Sequence, residues 1–243
     1  MNAGKKLIWK LFLIIASFYG CKDDTTVSEI EQGQVTDAEG NVYRTVKIGD
    51  QWWMAENLRT RTFNTGDPVP FILSTDSAGW VNGTQANCCL YQDNPDAPGL
   101  LYNQAAVADP RGIAPTGWHI ATDADWQKLE RFIGLTSAEA NETAWRGSNE
   151  GDKLKKEGLN AWVRYDGVWA GDDYKFSAQA GGCRLPDNRY SVPSGVSFAG
   201  FWWTATAKQQ GESWYRYIDY KSSRIFRSYT YDGYGMSIRC VKD

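Results

Sequence analysis

The chain has 243 residues, 42% hydrophobic and 14% aromatic with 12 Trp and 13 Tyr, so it holds ample material for a buried core. Its formal charge is −3, and without the three lysines of the first twenty residues the remainder stands at about −6. That balance excludes nucleic acid and an anionic membrane surface as electrostatic partners.

Lys5, Lys6 and Lys10 accompany an apolar run from Leu11 to Tyr19, with Ala16 and Ser17 near its end and Gly20-Cys21 closing it. A basic head, a short apolar stretch and small residues before a cut mark an export signal. The run is too short for a bilayer, which takes roughly 20 apolar residues. Ser17-Phe18-Tyr19-Gly20-Cys21 resembles the bacterial lipobox, whose Cys is acylated and becomes the first residue, although Phe18 and Tyr19 depart from the usual pattern. Lys22-Asp23-Asp24 follows directly and resembles the Lys-acidic-acidic signal that sends Bacteroidetes lipoproteins to the outer face of the outer membrane. These resemblances imply a signal peptide over residues 1–20, lipidation at Cys21, and the outer membrane as a partner through acyl chains on Cys21. Lys22 to Gln34 contains no aromatic and only Val27 and Ile30 as large apolars. Too little surface can be buried there to offset ordering entropy, so residues 21–34 read as a lipid-anchored flexible tether.

Residues 35–243 read as one domain. Asn41 to Met54 predicts a hairpin, with Val42, Arg44, Val46 and Ile48 on one face, Tyr43, Thr45 and Lys47 on the other, and Gly49-Asp50 as the turn. Thr62 to Asp96, with Pro68, Pro70, Gly79, Asn82 and Gly83, reads as a long loop region with short strands. A helix starts at Thr122, where Asp125 three residues on completes an approximate capping box. Trp126, Leu129 and Ile133 give it one apolar stripe, and Gly134 ends it. A weaker helix is expected over Ser137 to Trp145, and aromatic, β-prone segments return from Ala161 on. Hairpin, loops, helices and then short strands make an α+β pattern with antiparallel sheets, one or two helices and long loops.

The chemistry available is limited. His119 is the only His, so it would have to serve any Ser/His/acid or Cys/His centre; its position before the capped helix reads as structural. One His and four mature Cys give no recognisable zinc spacing. A glycosidase needs only two acids, and Asp172-Asp173 beside Trp169 and Tyr174 is the best local pair, although a solvated loop explains it as well. The tryptophans say more. Neighbours on a strand point to opposite faces, so in Trp52-Trp53 and Trp202-Trp203 one ring of each pair is covered by a second layer or is open to a ligand. With Trp169, these five are the ligand-binding candidates, because flat rings suit sugars and peptide side chains; filling of the core is the competing reading. Cys88, Cys89, Cys183 and Cys240 allow three disulfide connectivities or four buried thiols.

Several phrases together resemble a known family. They are Asp37 to Tyr43, Thr45 to Leu58 with its central Gln51-Trp52-Trp53-Met54, Leu101-Tyr102-Asn103, Ala114 to Trp126, and the closing Gly235-Met236-Ser237-Ile238-Arg239-Cys240-Val241. The chain is identified on these as a member of the Fibrobacter succinogenes major paralogous domain family, over nearly its whole mature length. The resemblance implies a C-type-lectin-like fold, near the branch of formylglycine-generating enzymes, on secreted or lipid-anchored proteins of undefined biochemical role. Those enzymes bind copper with a late cysteine pair, and Ile225 to Gly235 contains no Cys, so that oxidase activity is not expected. Family positions imply a Cys89–Cys240 disulfide, with Cys88–Cys183 as the other. Pro186-Asp187-Asn188 resembles the calcium-sugar loop of C-type lectins, but the partner Trp-Asn-Asp is missing, so no calcium site is assigned. The expectation is a surface-exposed, non-enzymatic binding module for a glycan or a surface protein, without catalytic residue, metal or cofactor. An accessory subunit of an outer-membrane assembly and a carboxylate-based hydrolase are the alternatives.

Overall fold

The computed structural model describes residues 29–80, 84–158, 161–187, 189–190 and 197–243. The export-signal and anchor residues, Cys21, Lys22, Asp23 and Asp24 among them, lie outside the described residues, as does Asn188. The first half carries β1 (Gln32–Thr36), β2 (Val42–Ile48), β3 (Gln51–Met54), α1 (Ser77–Trp80), β4 (Cys88–Cys89), β5 (Leu101–Tyr102), α2 (Gln104–Val107) and β6 (Trp118–Ile120). Then come α3 (Asp123–Ile133), α4 (Ser137–Asn141), β7 (Ala144–Arg146), α5 (Glu150–Leu154), β8 (Ala199–Gln209), β9 (Glu212–Asp219), β10 (Ile225–Tyr231) and β11 (Cys240–Lys242). The domain is α+β, with every strand pair of its sheets antiparallel.

The larger sheet runs β1-β2-β3-β11-β6. Its hairpin turns at Gly49, whose φ of +63° suits a two-residue loop with glycine first. Both faces of this sheet are covered. Val46, Trp53 and Val241 lie in register and pack into one apolar cluster, while Tyr43, Met54, Cys240 and Ile120 pack into another. Both rows of β2 therefore contribute to the core: Tyr43 and Thr45 are buried as well as Val46 and Ile48, while Val42 and Arg44 are exposed. β1 begins inside the stretch expected to be tether. Its side chains are half-exposed, and what holds it is backbone pairing to β2 from Gln32–Val46 to Thr36–Val42.

Helix α3 starts as its sequence requires: Thr122 Oγ1 accepts from the Asp125 amide and the Asp125 carboxylate accepts from the Thr122 amide, at 3.1 and 2.9 Å. Trp126, Leu129 and Ile133 are buried, each contributing roughly 1.5–3 kcal/mol. The Trp126 ring lies 5.2 Å from Trp53 of the larger sheet and 6.2 Å from Trp202 of the smaller one, so α3 sits between the sheets. The expected second helix is shorter. α4 stops at Asn141 and Trp145 belongs to β7, paired with Phe226. The backbone turns extended at Glu142, and β7 then carries the Arg146 guanidinium to Glu130, which it meets through two bonds of 2.8 Å.

The smaller sheet, β7-β10-β9-β8, meets α3 through buried ion pairs. Arg216 bridges Glu130 at 2.6 Å and Asp123 at 2.7 Å, and Arg227 also holds Asp123 at 2.7 Å. Burial works against the charge on Asp123, but Arg227 and Arg216 prevail and hold its carboxyl down at about 2.

Candidate functional site

After α5 the chain leaves the helix and builds a pocket of about 570 Å³ from Lys155, Glu157, Gly158, residues 162–170 and Tyr220. Its walls are fixed by the backbone. Lys156 and Val163 donate to Ala178 and Ser197 at 2.8 Å, and Tyr165 pairs with Val168 across an Asp166-Gly167 turn whose glycine has φ +77°. The Trp162 indole donates to the Ala178 carbonyl at 2.9 Å, which seats that ring in the wall. Lys155 lies buried beneath, its Nζ donating to Asp152 at 2.9 Å and to the Ser222 carbonyl at 2.8 Å, 5.5 Å from the Trp162 ring. Burial pushes the Lys155 pKa down, against the pull of Asp152.

The rim is aromatic and open. Trp169 is 62% exposed and Tyr165 47%. Tyr165 meets Tyr220 edge-on at 5.9 Å, Tyr220 meets Phe198 at 5.2 Å, and Lys221 lies over both tyrosine rings. Glu157, Arg164 and Asp166 complete the lining with hydrogen-bonding groups. A pocket of this size with a few polar groups among aromatic rings suits a small organic ligand. A second depression, about 410 Å³, has alanines 105, 108, 205 and 207 in its wall and offers less to grip.

The profile of the Fibrobacter succinogenes major domain matches residues 46–242. The chain belongs to this family. Among curated proteins and among solved structures there is no match. The match spans the pocket, the smaller sheet and the larger sheet from the end of β2 on, so the aromatic rim lies within the Fibrobacter succinogenes major domain itself.

Three of the five ligand-binding candidates are corrected. Trp53, Trp202 and Trp203 are fully buried. Trp53 packs edge-on against Trp126 and Phe176, Trp202 donates to Asn57 at 2.9 Å, and Trp203 donates to the Tyr102 carbonyl at 2.9 Å. Their neighbours on both sides of each strand supply a second layer, which removes these rings from any ligand. Trp52 is half-buried, with Gly33 of β1 beside its ring. Only Trp169 stands in the pocket. Trp162, Tyr165 and Tyr220 were missed; the signal for Tyr165 was the Asp166-Gly167 turn, which pairs it with Val168, the residue before Trp169.

The expected disulfides are corrected too. Cys88, Cys89, Cys183 and Cys240 are all buried thiols. Neighbours on β4 point apart, so Cys88 enters the cluster of Cys240 while Cys89 enters that of Trp80, and Cys183 lies in a third with Trp203. Neither Cys89–Cys240 nor Cys88–Cys183 is a neighbouring pair in these clusters. Burial pushes the thiols of Cys88 and Cys89 up to about 12, which keeps them protonated and unreactive.

The acids singled out do not face one another. Asp172 is buried and accepts from the Ser177 amide and hydroxyl, both at 2.7 Å, while Asp173 is exposed. Asp187 is tied to Arg189. His119 lies between Asp125 and Asp243, away from the pocket lining. Among the described residues, no three His, Cys, Asp or Glu side chains converge as metal ligands, and no helix is long and apolar enough to cross a membrane. A different surface covers the outer side of β7-β10-β9-β8, where half-buried rings pack together. Phe201 stacks on Tyr217 at 4.5 Å, and Phe226 touches Trp145 at 5.2 Å and Tyr217 at 5.8 Å.

Proposed function

We propose that this chain is a lipoprotein, held to the outer membrane through Cys21 and displayed by Lys22-Asp23-Asp24, whose domain binds a glycan without transforming it. The observation that carries the binding reading is the pair of rings, Trp169 and Tyr165, held open to water on the rim of one pocket. Large rigid rings give contact area at little entropic loss, and the neighbouring Arg164, Asp166 and Glu157 suit hydroxyls. The C-type-lectin-like reading of the fold belongs here as well, supported by the closing strand β11 lying between β3 and β6; a crystal structure that superposes poorly on such lectins would overturn it.

A glycan array probed with the purified protein tests the ligand. Binding of at least one glycan is expected, and Trp169→Ala should weaken it by about 1.4 kcal/mol, roughly tenfold. Binding that ignores Trp169→Ala removes the pocket from the account. The accessory-subunit reading has one observation in its favour, the ring-covered outer face of the smaller sheet. Co-purification of a stoichiometric envelope protein that Phe201→Ser or Phe226→Ser releases, with no glycan bound, would favour it.

A further inference from the structure

Resting on the glycan-binding reading, we propose that the ligand is a neutral, linear oligosaccharide whose chain leaves the pocket past Trp169 and continues onto Tyr174 and Phe132. Charge argues for neutrality. Around the pocket Glu157 and Asp166 are matched by Arg164 and Lys221, and the buried Lys155 is already held by Asp152. An acidic chain or a basic peptide would find no surplus of opposite charge. Alternating donors and acceptors beside ring faces suit the hydroxyls and C–H faces of uncharged sugar units.

Geometry argues for length. The pocket is open, and Trp169 stands at its edge with one flank beside Gly171. A Cβ placed there would lie 3.4 Å from the Trp169 ring and 2.5 Å from the Asp173 carboxylate. The glycine therefore lets an acceptor stand close to the ring without a side chain covering it. Tyr174 follows five residues after Trp169, no more than about 18 Å away along an extended chain. It packs against the same core cluster as Tyr220 and meets the Phe132 ring at 5.9 Å. Phe132 is 55% exposed on α3, its ring lying against Gly49 and leaving more than half of its surface open to water.

The loop carrying these rings is fixed before any ligand arrives. Asp172, Lys175 and Ser177 hold φ of 47°, 56° and 52°, a left-handed backbone that non-glycine residues adopt only when held. Asp172 grips Ser177, and Arg239 donates to the carbonyls of Phe176 and Ser177 at 2.9 Å. Ordering is thus completed during folding and does not weaken binding.

The test is calorimetric titration of the full-length protein in detergent with neutral gluco-, xylo- and manno-oligosaccharides of two to six units, beside charged glycans of the same lengths. Affinity for at least one neutral series should rise about tenfold or more with length, as each further ring contact is engaged. Phe132→Ser should cancel the gain with length, so that longer chains bind only as tightly as the disaccharide. Length-independent binding that Trp169→Ser still weakens would overturn the extended track while leaving the pocket. Binding confined to charged glycans would overturn neutrality. No binding to any sugar, neutral or charged, would overturn the glycan reading itself.

Discussion

His119, the chain's one histidine, is held between two carboxylates. On β6 its Nδ1 lies 2.7 Å from the Asp243 carboxylate and its Nε2 3.1 Å from that of Asp125. Two carboxylates facing two nitrogens are satisfied together only when both nitrogens carry protons. Partial burial works against that charge, but the bonds to Asp243 and Asp125 outweigh it and the pKa is raised above the ordinary value of 6.5. The sign follows from linkage. A raised folded-state pKa adds stability that is complete below the unfolded value, near 6.5, and is lost as pH rises through the folded value. Urea melts across this range should show wild-type stability falling with pH by more than that of His119→Gln, whose own curve lacks this component. The side chain is two-fifths exposed, so solvent screening keeps the effect modest. Parallel curves for the two proteins would mean that the bridge does not form in solution.

At the scale of elements, α3 is bound to the smaller sheet by charge as much as by apolar contact. Glu130 is fully buried between Arg146 of β7 and Arg216 of β9; it is the acid paired with Arg146, while Arg216 shares it with Asp123. Burial opposes its charge, yet Arg216 and Arg146 hold its pKa below the usual range. Glu130→Ala leaves the buried Arg146 without its carboxylate and Arg216 with Asp123 alone, and loss of one partner of a buried pair typically costs about 3–5 kcal/mol. That is a large part of the roughly 5–15 kcal/mol that stabilises a domain. Urea unfolding should register it as a much lower midpoint, whereas a change under about 1 kcal/mol would show the cluster to be hydrated. The cap at Thr122 and the turn at Gly49 were legible because each is local, settled within four residues. Glu130 was not, because its partners lie 16 and 86 residues away. The same distance rule explains the site. Trp169 could be named from its type, but only the fold brings Tyr220 to Tyr165, and only the covering of both strand faces withdraws Trp53, Trp202 and Trp203. The cysteine pairs failed for a related reason, since family position carries no information about which face of β4 each thiol takes.

For the molecule as a whole, the proposed anchoring must be reconciled with where the folded domain begins. The described domain holds its chain from Ile30 on, where that side chain packs against the core cluster shared by α3 and both sheets, and β1 then fastens to β2. Nine residues separate Ile30 from Cys21, so the domain must lie within about 32 Å of any anchor there. One acyl chain binds a membrane only marginally, while several on a single residue hold firmly, at roughly 0.8 kcal/mol for each buried methylene. The chain beyond residue 20 offers no electrostatic substitute: its formal charge is about −6, which an anionic leaflet repels. Cys21→Ala should therefore leave the membrane fraction or accumulate as uncut precursor, and its domain should melt as the wild type does, because position 21 precedes every contact described. Replacing Lys22, Asp23 and Asp24 together by Ala should keep the protein in the envelope but shield it from external protease. Fractionation and mass spectrometry read the first variant, and protease accessibility on intact cells reads the second. Wild-type mass and membrane retention for Cys21→Ala would overturn the anchor. Undiminished protease cleavage of the triple variant would leave the anchor standing and separate surface display from the charged residues that follow it.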